Sequence, residues 1–211
     1  MIRLYVVRHG QTGWNAEGRY QGSTDVALND VGRAQVRALA PRLAPVLFSA
    51  VYSSALSRAR ETALLLDSRG PAAEIRTLLG LNEMSYGAWE THTREEITHL
   101  FPDNWRRYKA DPVAERPLGG ESRPEFHRRV LGAVSDVTRG HHQGDAVLLA
   151  VHGGTLRALA THVLGMDLHG YRRLRFDNAS LSVFELRRDL SGVVALLNET
   201  VQPAGDQATP R

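Results

Sequence analysis

The stretches Ile2-Arg3-Leu4-Tyr5-Val6-Val7-Arg8-His9-Gly10 and Ala146-Val147-Leu148-Leu149-Ala150-Val151-His152-Gly153-Gly154 share one form. In each, a short apolar run ends at a histidine followed by glycine. Runs of this length, rich in β-branched residues, read as buried strands. Between them the signals alternate. Asn29 offers an N-cap to an amphipathic helix carrying Val36, Leu39 and Leu43 on one face, with Pro41 expected to kink or shorten it. Residues 50–53 read as a strand, 58–66 as a helix and 74–77 as a weak strand. Residues 81–120 look irregular with short helices, such as 93–100. Residues 121–138 read as a helix, with Phe126, Val130, Val134 and Val137 in step. A helix over 155–164 follows the second run. Two late strands, 181–186 and 193–198, flank a turn at 189–192. Strand and helix alternate, so the expected class is α/β, with a largely parallel sheet covered on both faces.

Open α/β sheets place ligands beyond the carboxyl ends of their strands. Arg8, His9 and Gly10 follow the first strand, Ser53 and Ser54 the second with Arg58 one turn on, and His152, Gly153 and Gly154 the strand at 146–151. Two of the nine histidines thus take the same topological place, beside arginines. Arginine grips phosphate oxygens bidentately and keeps its charge, and histidine can attack phosphorus near neutral pH. Gly10, Gly153 and Gly154 would let backbone amides approach an anion, and the following helix would aim its N-terminus at the pocket. The set describes a phosphoryl-binding site built without a metal.

The 211 residues have ordinary globular composition, with 42% hydrophobic and 23% charged side chains. Cysteine is absent, which excludes thiol nucleophiles, disulfide scaffolds and Cys-ligated zinc or iron–sulfur centres. The net charge of +3 rests on 26 basic residues, of which only Lys109 is lysine. The arginines are interleaved with acids, and no basic stripe with aromatic side chains points to nucleic acid. His141-His142 has no partner at ligand spacing, so no metal is expected. No apolar stretch is long enough to span a membrane, and no signal sequence is visible at the N-terminus. A cytoplasmic location is the expectation, and a homodimer stays open.

The motifs, taken in order, resemble the histidine phosphatase superfamily, the phosphoglycerate mutase-like proteins. Arg8-His9-Gly10-Gln11-Thr12 with Trp14-Asn15 is similar to the family signature. Gln21-Gly22, Asp25, Leu28, Gly32 and Gln35 follow it. Ser53-Ser54, Leu56, Arg58-Ala59 and Glu61-Thr62 form a second block, and Glu83, Tyr86-Gly87 and Trp89-Glu90 a third. Gly119-Gly120-Glu121-Ser122 is the fourth, and Val151-His152-Gly153-Gly154 with Arg157 the fifth. The resemblance spans residues 2–186. It implies a three-layer sandwich and one domain over 1–201, with a cap-like segment at about 84–121 and a flexible tail at 202–211.

The resemblance also implies roles. His9 would be the nucleophile that becomes phosphohistidine. Arg8, Arg58 and His152 would hold the phosphoryl oxygens, with Asn15 adding a hydrogen bond and Gln21, Gly22 and Gly153 lining the phosphate site. Glu83 would protonate the leaving alcohol and then activate water, in a secluded setting supplied by Met84, Tyr86 and Trp89. Glu90 is a rival acid in the same segment. His9 must be neutral at its attacking nitrogen, so a backbone acceptor should hold its other N–H. His152, if protonated, would add positive charge. Arg157 and Arg60 read as structural.

The same residues serve hydrolysis and phosphate exchange within the family. The short interval between Glu83 and His152, and Tyr20-Gln21-Gly22-Ser23 where the mutases have Phe-x-Gly-Trp, resemble the small bacterial phosphatases. The expectation is a phosphatase of small phosphate esters that needs no cofactor. A cofactor-dependent phosphoglycerate mutase and a pathway-specific enzyme such as an α-ribazole phosphatase are the alternatives.

Overall fold

The computed structural model describes residues 1–67 and 74–201; the segment expected to be a tail at 202–211 lies outside these. Six strands form one sheet: β1 (Ile2–Arg8), β2 (Ala50–Ser53), β3 (Ile75–Thr77), β4 (Ala146–Val151), β5 (Leu181–Leu186) and β6 (Gly192–Glu199). Their order is β3-β2-β4-β1-β5-β6. The pairs β3·β2, β2·β4 and β4·β1 are parallel, and β5 runs antiparallel to both β1 and β6. The two runs that opened the reading are therefore neighbours at the centre of the sheet, where strands buried on both faces must be apolar throughout.

Seven helices accompany the sheet among the described residues: α1 (Gly13–Ala16), α2 (Asp30–Leu43), α3 (Ser57–Leu66), α4 (Arg94–Leu100), α5 (Pro102–Ala110), α6 (Arg123–Arg139) and α7 (Gly153–Val163). On one face Val36, Leu39 and Leu43 of α2 and Ala63 and Leu66 of α3 pack with Val7, Val51 and Leu148. On the other, Phe126, Val130, Val134 and Val137 of α6 and Leu156 and Leu159 of α7 pack with Leu4, Val6 and Leu149. The alternation of side chains along β1 and β4 divides them between these two cores. A third cluster, Trp89, Ile97, Trp105 and Tyr108, holds α4 and α5 together.

Asn29 caps α2 by accepting from the Gly32 N–H at 2.8 Å. That helix runs two residues past Pro41: the proline gives up its own bond to residue 37, but the ladder resumes beyond it, with Ala44 N–H donating to Ala40 O at 3.0 Å. α7 starts two residues before the expected helix, so Gly153 and Gly154 form its first turn and His152 stands at its N-cap. α5 extends the short-helix region and begins at Pro102, a proline placement that suits a first turn.

Candidate active site

Register places the two histidines side by side. Arg8 pairs with Val151 at the ends of β1 and β4, and the His9 N–H donates to the Val151 carbonyl at 2.9 Å. His9 and His152 each stand one residue beyond, with ring centroids 5.2 Å apart. β2 lies on the other side of β4, and its Ser54 N–H donates to Ala150 O at 3.1 Å. Three adjacent parallel strands thus deliver His9, His152 and Ser54 to one edge. Arg58 follows from the first turn of α3.

The tautomers follow from partners that can act in only one way. A carbonyl oxygen only accepts, so His9 Nδ1 donates to Gly10 O at 2.7 Å and Nε2 keeps its lone pair. The backbone acceptor expected for His9 is therefore its own neighbour. Arg58 Nε–H only donates, so His152 Nδ1 accepts it at 3.3 Å and Nε2–H donates to Ser54 Oγ at 2.7 Å. Burial, then Arg58 and Arg8, hold the His9 imidazole well below its usual 6.5. Burial, then Arg58 and His9, do the same to His152. The extra positive charge considered for His152 is thus not there without a bound anion, because two buried guanidiniums already occupy its surroundings.

Arg58 is 1% exposed, and its Nη1 and Nη2 donate to Thr24 O and Gly22 O at 2.8 and 2.7 Å. Arg8 donates from Nη1 to Phe176 O at 2.6 Å, and its buried Nε has no protein partner. Burial and repulsion from Arg157 lower Arg8 to about 10, so it stays charged at neutral pH. Neither arginine has an ion pair among the described residues. Carboxylates act on them only at longer range, Glu83 and Asp177 on Arg8 and Glu83, Asp25 and Glu90 on Arg58, so direct charge-assisted contacts are left to a bound anion.

Glu83 stands across the site. Its carboxylate accepts from its neighbour's Met84 N–H at 2.8 Å and from Gly154 N–H, in the first turn of α7, at 2.9 Å. The helix N-terminus expected to face an anion thus holds Glu83. A Cβ at Gly154 would lie 2.0 Å from Glu83 Oε1, so any larger residue there would displace the Glu83 carboxylate. The Gly10 amide donates to Thr62 Oγ1 at 3.3 Å instead of turning to the pocket, and a Cβ on Gly10 would strike Gly32 O. Gly153 lies against Arg8 and Arg157. Tyr86 lines the cavity with Glu83, whereas the Met84 side chain lies in the core and meets Glu83 only through its N–H. Trp89 does not line the cavity but is buried against Trp105 and Tyr108.

The cavity holds about 250 Å³ and is lined by Arg8, His9, Asn15, Gln21, Gly22, Arg58, Glu83 and, on the open side, Trp14, Tyr20 and Tyr86. Asn15 has a double position. Its Oδ1 accepts from the Thr12 N–H at 3.1 Å and from Asn178 at 3.2 Å, leaving its Nδ2 for a ligand. Gln21 is buried with Oε1 unpartnered. Gly22 adopts φ +53° and contributes its carbonyl to Arg58.

Three residues do more than the sequence assigned to them. Asn178 Nδ2 donates to His9 O, Gly10 O and Asn15 Oδ1 at 3.1–3.3 Å, tying the loop before β5 to the first motif. A polar residue ending a loop just before a strand was the available signal. Glu90, the rival acid, is a clamp: it accepts from the N–H groups of Ser23, Thr24 and Tyr86 at 2.9–3.0 Å and from the Thr24 hydroxyl. Burial pushes its carboxyl up, but the bonds from Thr24, Ser23 and Tyr86 outweigh that and hold it below the usual range. Trp14, part of the first motif, lines the cavity. Arg157 donates to Leu174 O at 2.9 Å, in keeping with a structural role, and Arg60 is exposed. His141 donates from Nδ1 toward Asp145 and meets Tyr52 Oη at 3.1 Å; among the described residues no three ligating side chains gather to hold a metal.

The model of the histidine phosphatase superfamily (branch 1) matches residues 4–200. The chain belongs to the histidine phosphatase superfamily. This histidine phosphatase is 32% identical over 200 residues to phosphoserine phosphatase 1 of Hydrogenobacter thermophilus, covering 95% of this chain and 93% of the relative. It is 34% identical over 210 residues to a protein named probable phosphoglycerate mutase GpmB in Escherichia coli, covering 98% and 94%. The α-ribazole phosphatase structure from Shigella flexneri aligns with a TM-score of 0.84 at 27% identity, over 93% of this chain and 96% of that one. The α/β sandwich expected for the family is the fold observed. No helix among the described residues is long and apolar enough to cross a membrane.

Proposed function

We propose that this histidine phosphatase hydrolyses small phosphomonoesters through a phosphohistidine on His9. Membership of the superfamily, with relatives named as phosphatases, supports a phosphoric monoester hydrolase. The observation that carries the mechanism is the bond from His9 Nδ1 to Gly10 O, which leaves Nε2 as a neutral nucleophile beside the buried Arg58 and the half-buried Arg8.

In the first step a bond forms between His9 Nε2 and phosphorus as the ester P–O bond breaks. The departing oxygen takes a proton from Glu83, which enters this step as the carboxylic acid, a form the dianionic ester beside it favours, and leaves it as the carboxylate. Arg8, Arg58 and the Asn15 amide neutralise the oxygens that gather charge in the transition state. The dianion favours a proton on His152 Nδ1, which turns that atom from acceptor to donor. In the second step Glu83 takes a proton from water, the water oxygen bonds to phosphorus, and the N–P bond breaks to release phosphate. General acid help of this kind contributes roughly 10²–10⁴-fold for an alkoxide leaving group.

The cap-like segment with α4 and α5 shapes the open side of the pocket through Tyr86, and α1 and its following loop do so through Trp14 and Tyr20. The volume suits a small metabolite. Phosphoserine, α-ribazole phosphate and glucosyl-3-phosphoglycerate are the first esters to test, on the names of relatives. The mutase reading has one specific support, the similarity to GpmB. Two measurements decide. Quenched turnover of a labelled ester should leave acid-labile, base-stable label on His9; label on another residue refutes the nucleophile. A substrate panel containing 3-phosphoglycerate with and without 2,3-bisphosphoglycerate should give hydrolysis; efficient exchange there would replace phosphatase by mutase.

A further inference from the structure

Arg129 leaves the surface of α6 to reach the segment that carries Glu83. Its Nη1 donates to Gly80 O and Asn82 O at 3.1 and 3.0 Å and, at 3.4 Å, to Leu79 O. Its Nη2 donates to Glu83 O at 3.3 Å. The other edge of the guanidinium meets Glu121 through Nε and Nη2 at 3.0 and 2.7 Å. One planar cation is thus fixed bidentately on one side and covers four carbonyls on the other. Those carbonyls belong to the turn at Leu79–Leu81 and the two residues that lead to the carboxylate.

Glu121 is itself anchored to the far side of Glu83. Its N–H donates to Ser85 O at 2.9 Å, and Ala88 N–H donates to Leu118 O at 2.8 Å. The two segments lie so close that a Cβ on Gly120 would sit 2.7 Å from Ser85 O. α6 approaches equally closely, since a Cβ on Gly80 would sit 2.6 Å from the Ala133 side chain. The ion pair is mostly sheltered, with the Glu121 side chain 17% exposed. The Gly-Gly-Glu block at 119–121 therefore has a physical purpose that its sequence alone did not disclose: it brings the carboxylate partner of Arg129 up against the segment bearing Glu83.

We propose that Arg129 and Glu121 are a positioning pair that sets where the Glu83 carboxyl stands relative to the leaving oxygen. This rests on the reading of Glu83 as general acid. Neither residue lines the cavity, so the pair acts through Glu83 and not on the substrate. A lysine cannot replace the guanidinium fully, because a point charge cannot satisfy a bidentate carboxylate and a row of carbonyls together. Small misplacements of a reacting group, near 1 Å, cost on the order of 10²-fold.

The test compares kcat/KM for p-nitrophenyl phosphate, whose leaving group needs no proton, with that for a simple alkyl phosphate, whose leaving group does. Arg129→Met and Glu121→Gln should each lower the alkyl ester by about tenfold or more beyond the nitrophenyl ester, with Arg129→Lys between them and the parent. Glu83→Gln is measured beside them. If it shows the leaving-group bias while the Arg129 and Glu121 variants lower both esters equally, the pair is merely structural and the inference is overturned. If Glu83→Gln itself shows no bias, the acid assignment fails first and takes the inference with it. Should Arg129→Met not fold, as read by circular dichroism, the same ratio in Glu121→Gln and Arg129→Lys decides.

Discussion

The Arg58 Nε–H meets His152 Nδ1 across 3.3 Å, and that nitrogen is therefore an acceptor in the unliganded protein. A guanidinium cannot take a proton back, so His152 can donate to a phosphoryl oxygen only by gaining a proton and turning away from this bond. The site thus keeps its second histidine neutral until an anion arrives to justify the charge.

This has a pH consequence. Both imidazoles are held well below 6.5, by burial first and by the arginines second. The unfolded chain, with ordinary histidines, binds more protons as the pH falls. Stability is therefore complete above about 6.5 and is lost as the pH drops through the lower folded values. Melting temperature should decline on acidification from pH 6.5, and His152→Asn should flatten that slope. NMR titration of the unliganded protein should find both rings, which titrate as a pair, still neutral at pH 6; an ordinary midpoint near 6.5 would contradict the buried-neutral arrangement.

Asn178 should matter more than its distance in sequence suggests. Asn178→Ala leaves the carbonyls of His9 and Gly10 and the Asn15 amide oxygen without their shared donor. The loss should be roughly 1–3 kcal/mol of stability. Turnover should fall as well, because Gly10 O also holds the His9 ring. Denaturant unfolding alongside steady-state kinetics checks both, and an unchanged kcat would show that the first motif stands without it.

Glu90→Gln should weaken substrate binding without any preference for leaving group. Its carboxylate holds Ser23 and Thr24, and the Gly22 and Thr24 carbonyls hold Arg58. The expected signature is a raised KM for alkyl and nitrophenyl esters alike. A bias toward the nitrophenyl ester would instead give Glu90 the acid role.

Chelation should not abolish activity. On the proposed mechanism the anion-binding charge comes from Arg8 and Arg58, whose guanidiniums a chelator leaves untouched. Hydrolysis of p-nitrophenyl phosphate after exhaustive EDTA treatment should equal that of the untreated protein, and full loss restored by a divalent cation would refute the mechanism.

The central strands and the residues that end them were legible in sequence because register does the rest: Arg8 opposite Val151 carries His9 to His152 with no further information needed. Arg58 was legible for the same reason, one turn beyond β2. Glu83 was not readable from pattern alone, since it lies in irregular chain, and only the ordered blocks of a family resemblance singled it out. Asn178, Glu90 and Arg129 were harder still. Each acts on backbone groups distant in sequence, and nothing local distinguishes a side chain that reaches a carbonyl 46 residues away from one that reaches water. The N-terminus of α7 was read as an anion site and holds a carboxylate of the protein itself, a choice that only the three-dimensional placement of Glu83 could reveal.

The strand that leads into His9 receives its sheet partners late. β1 has β4 on one side and β5 on the other, and both come from the second half of the chain. While the protein is being made, that strand waits with both edges open, exposed to wrong pairings. Arg8 and His9 have no assembled pocket until residues beyond Phe176 have emerged and folded back. The pocket lined by Arg8 and His9 therefore takes shape only when the sheet has closed around β1.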